Sequence, residues 1–273
     1  MEKASKYFSF LKYSITHPKN GVEILQNAIE VKQNQSKELQ TLPESYASAE
    51  EVFNYFFPNS EISFANLKDE TIEIQNKLKK FFKELESKEF PTKEKPYDIG
   101  YSVDDQLALF YYAVCRTIKP KIVVETGVAY GHSSSYILEA MKRNNFGELY
   151  SIDYVFSPWQ TKEKIGSAIP NELKNRWSLE FGTSSKKLKN LLKNLGEIDI
   201  FIHDSLHTYQ NMKFEFETAW PRIKNGGFML SDDVSANYAF SEFSKKYDID
   251  PKYISPATKD SKFFGGAIQK KVF

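Results

Sequence analysis

The chain has 273 residues, of which 37 are basic and 36 acidic, for a formal net charge of +1. So even a balance gives no global field to recruit nucleic acid or an anionic membrane surface, and the length suits one α/β domain with a substantial extra segment. The single cysteine, Cys115, excludes an intrachain disulfide and lies in an apolar run, 107–115, too short to span a bilayer.

The opening Met-Glu-Lys-Ala lacks a signal peptide's apolar core and has no glycine at position 2 for myristoylation, which predicts a cytoplasmic protein. Residues 1–99 read as a helical segment. Helical character runs over 4–16 and 21–33, and 41–47 is a connection containing Pro and Ser. The clearest helix is expected over 67–89, where Ile74, Leu78, Phe81, Phe82 and Leu85 recur at helical spacing with Lys and Glu opposite. The charged face reads as solvated, but the apolar stripe must be covered. This segment is therefore expected to act as a lid over the site or as the interface of a homo-oligomer. Pro91 and Pro96 then break the pattern.

Residues 100–273 alternate strand and helix. Ser102 with Asp105 resembles a capping box opening a helix to about residue 119. Strands are expected at 121–125, 148–153, 177–181, 198–203 and 228–231, with helices at 133–143, 184–194, 208–223 and near 235–247. The run at 198–203 is almost continuously apolar, as in a central parallel strand buried on both faces. Asn225-Gly226-Gly227 reads as a turn, and 253–255 with 264–269 as an antiparallel hairpin. The pattern predicts a doubly wound, Rossmann-like α/β sheet of seven strands, parallel with a C-terminal antiparallel hairpin, preceded by the helical segment.

Two clusters carry the chemistry. The first is Glu125-x-Gly127-x-x-x-Gly131-x-Ser133, a strand end, a tight turn and a helix start. It is neither the Gly-x-Gly-x-x-Gly of dinucleotide enzymes nor a triphosphate loop, which needs Gly-Lys-Ser/Thr. Glycines beside a strand-end carboxylate suit a ligand with a cationic group and no pyrophosphate; S-adenosylmethionine fits. The second cluster is His203-Asp204-Ser205-Leu206-His207 at the end of one strand and Ser231-Asp232-Asp233 at the end of the next. Adjacent parallel strands bring such ends side by side, and converging carboxylates repel unless a cation lies between them. All-oxygen donors favour a hard ion such as Mg²⁺.

On these motifs the stretch from about 100 to 270 resembles the class I S-adenosylmethionine-dependent methyltransferases. Within them it looks most like the metal-dependent catechol O-methyltransferase type and the related bacterial sugar and antibiotic O-methyltransferases. The resemblance implies that Glu125, Gly127, Gly131 and Ser133 surround the methionine moiety and that Asp153 binds the ribose hydroxyls. It implies that Gly182, Thr183 and Ser184 lie beside the adenine, and that Asp204 borders the cofactor. It also implies that Asp204, Asp232 and Asp233 hold Mg²⁺ against two acceptor oxygens, with His207, three residues after Asp204, as the base. The expected partner is a small molecule carrying a vicinal diol, such as a sugar or a phenol.

Plainer readings stand beside these. Asp204, Asp232 or Asp233 could cap the helices that follow, His207 could be a first-turn residue, and His203 a packed strand-end histidine. Tyr101, Trp159, Tyr209 and Tyr238 are candidate walls of the acceptor pocket, and His132 of the cofactor site. The competing functions are a metal-independent methyltransferase and a non-catalytic S-adenosylmethionine-binding module. Clustered carboxylates argue against the module, which has no need of them. A hydroxylase is disfavoured because no two-His-one-carboxylate iron triad is visible.

Overall fold

The computed structural model describes residues 10, 12–34, 43, 45–257 and 263–271. The expected helix at 4–16 and connection at 41–47 lie partly outside them. The front segment contributes α1 (Pro18–Asn34), α2 (Ala49–Phe56), α3 (Phe64–Glu70) and α4 (Ile72–Glu86). Then α5 (Asp105–Ile118), α6 (His132–Asn144), α7 (Ser184–Leu195), α8 (Tyr209–Ala219) and α9 (Ala239–Lys246) alternate with the strands.

Strands β1 (Ile122–Thr126), β2 (Glu148–Asp153), β3 (Trp177–Phe181), β4 (Ile198–His203) and β5 (Ile223–Ser231) pair in parallel. β6 (Lys252–Ile254) and β7 (Gly265–Gln269) add the antiparallel edge, giving the order β3-β2-β1-β4-β5-β7-β6. The chain winds outward from β1 to β3, then returns to lay β4 on β1's other side. That reversal opens a crevice at the carboxyl ends of β1 and β4. Every residue of β4 is buried, with Ile200 and Ile202 in one apolar cluster and Phe201 in the other. Both faces of the sheet are covered.

The front helices are part of the core rather than an appendage. Val52, Phe53, Phe64, Leu67, Ile74 and Leu78 join the same cluster as α5, each buried large side chain contributing roughly 1.5–3 kcal/mol. Arg116 on α5 adds a polar clamp, its Nε and Nη2 donating to the two oxygens of Glu70 at 2.7 and 3.0 Å. That guanidinium holds the Glu70 carboxyl below the usual range against the opposing effect of burial.

Several expectations are corrected. The single helix at 67–89 is two, α3 and α4, meeting at Thr71. Its hydroxyl and its N–H both donate to the Lys68 carbonyl, at 2.7 and 3.0 Å, which tightens the chain to an i−3 pattern. The cap of α5 is Asp104, whose Oδ1 accepts from Gln106 N and Leu107 N at 2.8 and 2.9 Å, not Ser102. Residues 225–227 are not a turn before β5 but lie within it. Between the pairs Ile198–Ile223 and Ile200–Phe228 the register shifts, so β5 bulges there. The helix at 208–223 stops at Ala219 and continues as a 3₁₀ turn, Trp220–Arg222, because Pro221 cannot continue the hydrogen-bond ladder. Among the described residues no helix is long and apolar enough to cross a membrane.

Candidate active site

The β1–α6 turn is locked from both sides. Gly127 has φ +83°, and a Cβ there would stand 1.8 Å from the carbonyl oxygen of Asp204. Gly131 opens α6 at φ +92°, where a Cβ would meet Ile169 at 2.6 Å. Only glycine satisfies both the left-handed backbone and the contact. The Gly127 turn therefore sets how close the end of β4 comes to the end of β1, and Asp204 N donates to Thr126 O at 2.8 Å across that gap. Gly127→Ala is expected to abolish S-adenosylhomocysteine binding in calorimetry, since overpacking of about 1–3 kcal/mol adds to left-handed strain of about 1–2 kcal/mol. Unchanged affinity would show that the turn does not control the site.

Glu125 is not at the cavity surface. It is fully buried, and its oxygens accept from Ser133 Oγ at 2.7 Å, Ser134 Oγ at 2.6 Å and Ser151 Oγ at 2.9 Å. Burial pushes its carboxyl up, against the three hydroxyls that favour the charge. It braces the turn from behind, and the expected direct contact with a cofactor gives way to this supporting position. Ser133 keeps a place on the cavity wall.

Asp153, ending β2, faces the cavity while supporting the turn. Its Oδ2 accepts from Val128 N and Ala129 N at 3.0 and 2.8 Å, and its Oδ1 from Tyr154 N at 2.6 Å. Burial pushes it up to about 6, with those backbone donors pulling the other way. Oδ2 is filled by its two donors, while Oδ1 retains a lone pair to which a hydroxyl can still donate. Gly182, Thr183 and Ser184, at the end of β3 and the start of α7, form the adjoining wall.

These residues line a cavity of about 520 Å³, which also takes in Asp204, His207 and the rings of Tyr154, Phe156 and Trp159. No lysine or arginine is among its described lining residues. Helix α1 covers part of it with Ala28, Glu30 and Val31, and is tied down by Glu30 to Thr208 and by Glu23 to Lys186. Of the suggested aromatic walls whose side chains are described, only Trp159 lines the cavity. Tyr209 donates to Glu242, Tyr238 is exposed, and the side chain of Tyr101 lies outside the described residues.

Asp204 and His207 line the cavity, and at this point, the floor of the site, the ends of β4 and β5 bring Asp232 to them, with the donor atoms of the three within 4.8 Å of one another. Asp233 does not join them. Its left-handed backbone, φ +49°, carries its Oδ2 to 3.4 Å from His207 Nδ1. His207 Nε2 is 3.9 Å from Asp204 Oδ1, fully buried and without a hydrogen-bond partner. Among the described residues none of the three aspartates forms an ion pair with lysine or arginine. Burial, reinforced by Asp232, raises Asp204 far above the carboxylate range; burial and Asp233 push Asp232 up to about 7, and burial pushes Asp233 up to about 6. The two facing carboxylates fit a hard divalent cation, which would relieve their mutual repulsion, and the neutral imidazole beside them keeps Nε2 as an acceptor.

Sequence reasoning missed the support beneath this floor. Glu215 on α8 is fully buried and joins Thr126, His203, Ser205 and Asn211. The available signal was a glutamate between Met212 and Phe216 on the apolar stripe of that helix.

The raised carboxylates dictate a pH dependence. Between pH 5 and 7.5 the folded chain keeps protons on Asp153, Asp232 and Asp233 that the unfolded chain has released, so stability falls as pH rises. His207, which burial pushes down to about 4, acts in the opposite sense up to its ordinary value, but the carboxylates outnumber it. The melting temperature without added ions is therefore expected to drop from pH 5 to pH 7.5 in scanning calorimetry. A steady rise would contradict the burial of these groups.

Comparison with known proteins agrees with this arrangement. A methyltransferase-domain family model matches residues 124–234. No curated protein matches the chain in sequence. Among solved structures, the S-adenosylhomocysteine-bound methyltransferase PaMTH1 of Podospora anserina is 18% identical with a TM-score of 0.51, covering 85% of this chain and 99% of its own. The O-methyltransferase TomG of Streptomyces achromogenes, involved in tomaymycin synthesis and solved with S-adenosylmethionine, is 14% identical with a TM-score of 0.52, covering 81% of this chain and 96% of that one. An O-methyltransferase from Bacillus cereus in complex with S-adenosylhomocysteine is 13% identical with a TM-score of 0.50, covering 81% and 97%. At these identities the likeness is one of fold. The family match spans the glycine turn, the acid after β2 and the ends of β4 and β5, so this part of the chain is similar to a methyltransferase domain, on a sheet with the fold of the S-adenosylmethionine-dependent enzymes.

Proposed function

We propose that the protein is an O-methyltransferase acting on a hydroxyl of a small molecule with a vicinal diol, with the help of a divalent ion such as Mg²⁺. The observation that carries this reading is the meeting of Asp204, His207 and Asp232 beside the cofactor turn, with no basic side chain paired to the carboxylates. Two of the similar folds, TomG and the Bacillus cereus protein, are named O-methyltransferases, which supports oxygen as the acceptor atom.

S-adenosylmethionine supplies an electrophilic methyl group on a sulfonium, and a divalent ion supplies charge that favours deprotonation of a nearby hydroxyl. The chain's own residues do the rest. Asp153 accepts a ribose hydroxyl on Oδ1, and Ser133, Gly182, Thr183 and Ser184 bound the methionine and adenine ends. Asp204 and Asp232 hold the ion. Asp233, against Nδ1 of His207, keeps the other imidazole nitrogen turned to the floor, where it takes the proton of the acceptor hydroxyl. Helix α1 screens part of the cavity from water.

In the same reading residues 1–99 serve the methyltransferase domain, 100–273, as cover. α1 also leaves Val22, Leu25 and Ile29 exposed, an apolar face that suits contact with a second copy. Titration calorimetry with S-adenosylhomocysteine, followed by transfer assays in chelator and in restored Mg²⁺, tests the proposal. Binding of the cofactor with full activity in chelator would leave the metal-independent reading in its place.

A further inference from the structure

Glu215 is a buried carboxylate beside Asp204 and His207 that the proposed chemistry does not use. It is fully buried, and each of its oxygens accepts twice: Oε2 from Thr126 Oγ1 at 2.5 Å and from His203 Nδ1 at 2.6 Å, Oε1 from Ser205 Oγ at 2.7 Å and from Asn211 Nδ2 at 3.1 Å. Two of these partners, His203 and Ser205, flank Asp204 directly, and a third, Thr126, receives the Asp204 N–H on its carbonyl at 2.8 Å. His203 is fully buried too, and its ring lies 5.2 Å from that of His207, at 90°.

A carboxylate removed from water costs several kcal/mol unless its lone pairs are filled, and here all four are. Stability alone does not call for a charge at this place, because an apolar side chain between Met212 and Phe216 would continue the stripe of α8. What a charge provides is directional. It fixes four donors from β1, β4, the loop after it and α8 relative to one point, and the Asp204 side chain stands among them with no side-chain hydrogen bond among the described residues, its approach to His207 being 3.9 Å. We infer that Glu215 is a positioning residue, a buried anchor that holds the Asp204 carboxylate in the geometry that binds a divalent ion, with the His207 ring facing it. The inference rests on the metal reading given above. Outer partners of this kind set the orientation of ligands without touching the ion.

The test uses Mn²⁺ as probe, titrated into the full-length protein and followed by the electron paramagnetic resonance of the free ion. Glu215→Gln, which preserves shape but replaces an acceptor with an amide donor, is expected to raise the Mn²⁺ Kd by about 10–100-fold, while S-adenosylhomocysteine affinity holds. A merely structural glutamate would lower the melting temperature and, below it, leave Mn²⁺ binding alone. A folded Glu215→Gln protein with wild-type Mn²⁺ affinity overturns the inference, as does a parallel loss of both ligands. If that variant does not fold, Ser205→Ala and Thr126→Val decide, each removing one donor to the anchor. Weakened Mn²⁺ binding in both supports it, and wild-type binding in both overturns it. Failure of the wild-type protein itself to bind Mn²⁺ would remove the metal reading and the inference together, whereas wild-type binding without an effect of the variants removes the inference alone.

Discussion

Replacing Asp204 by asparagine is expected to abolish methyl transfer and, at the same time, to raise the melting temperature of the ligand-free protein. The two effects have one cause. Asp204 is pressed by burial and by the charges of Asp232, Glu125, Asp233 and Asp153, so its ionised form is costly in the fold. Asparagine is the same shape without the charge. At pH 7.5 the ligand-free variant should gain about 2–4 °C for each kcal/mol of repulsion removed in a domain of this size. The divalent ion loses a charged ligand, so its affinity should fall by more than the ~10–100-fold typical of an outer-shell partner. Scanning calorimetry and Mn²⁺ titration on the same preparation measure both. A variant that is less stable without ligand and still turns over would mean that Asp204 is a structural carboxylate and that the ion, if any, sits elsewhere.

The gain in stability on losing a functional group is what separates this site from the polar networks around it. Glu125 and Glu215 are more deeply buried than Asp204, but three serines satisfy the first, and Thr126, His203, Ser205 and Asn211 the second. Their removal leaves donors unpaired and should destabilise. Among the described residues, Asp204 and Asp232 at the floor face one another instead of donors.

Much of the frame was legible in the sequence. β2, β3 and β4 have the bounds expected from their apolar runs, because each run begins and ends abruptly at a polar or turn residue. The strand-end acids were legible for the same reason: Asp153, Asp204 and Asp232 each follow a buried run, and topology alone brings the last two together. What could not be read depends on a few hydrogen bonds or one dihedral. Nothing in a periodic pattern marks Thr71 as the point where its hydroxyl claims the Lys68 carbonyl. Asp232 and Asp233 look equivalent on paper, and the +49° φ of Asp233 sends one to the floor and the other to the back of His207. Glu125 was read as a cofactor residue because it ends β1, yet Ser134 and Ser151, which carry no motif, take its charge inward.

His207→Ala is the second large expected effect, a loss of turnover of roughly 10²–10⁴-fold, as for other positioned bases, with S-adenosylhomocysteine binding little changed. The imidazole is well prepared for the role. Burial and the neighbouring His203 push it down to about 4, against the pull of Asp232 and Glu215, so it is neutral throughout the physiological range. Asp233 faces Nδ1, which leaves the buried Nε2 with its lone pair free to accept. From sequence alone the acid limb of the rate profile is expected at the ordinary histidine value near 6.5; the structure moves it. His207 stays deprotonated well below that value, while Asp232, pushed up to about 7, takes a proton first and with it the capacity to hold a cation. The acid limb should therefore belong to the carboxylates, shift to lower pH as the divalent ion is raised, and survive in His207→Ala at its reduced rate. Near-normal turnover in that variant would assign proton removal to solvent or another group. A limb that vanished with the histidine would instead show that His207 itself titrates in the working range, and that burial at the floor is weaker than the unpartnered nitrogen implies.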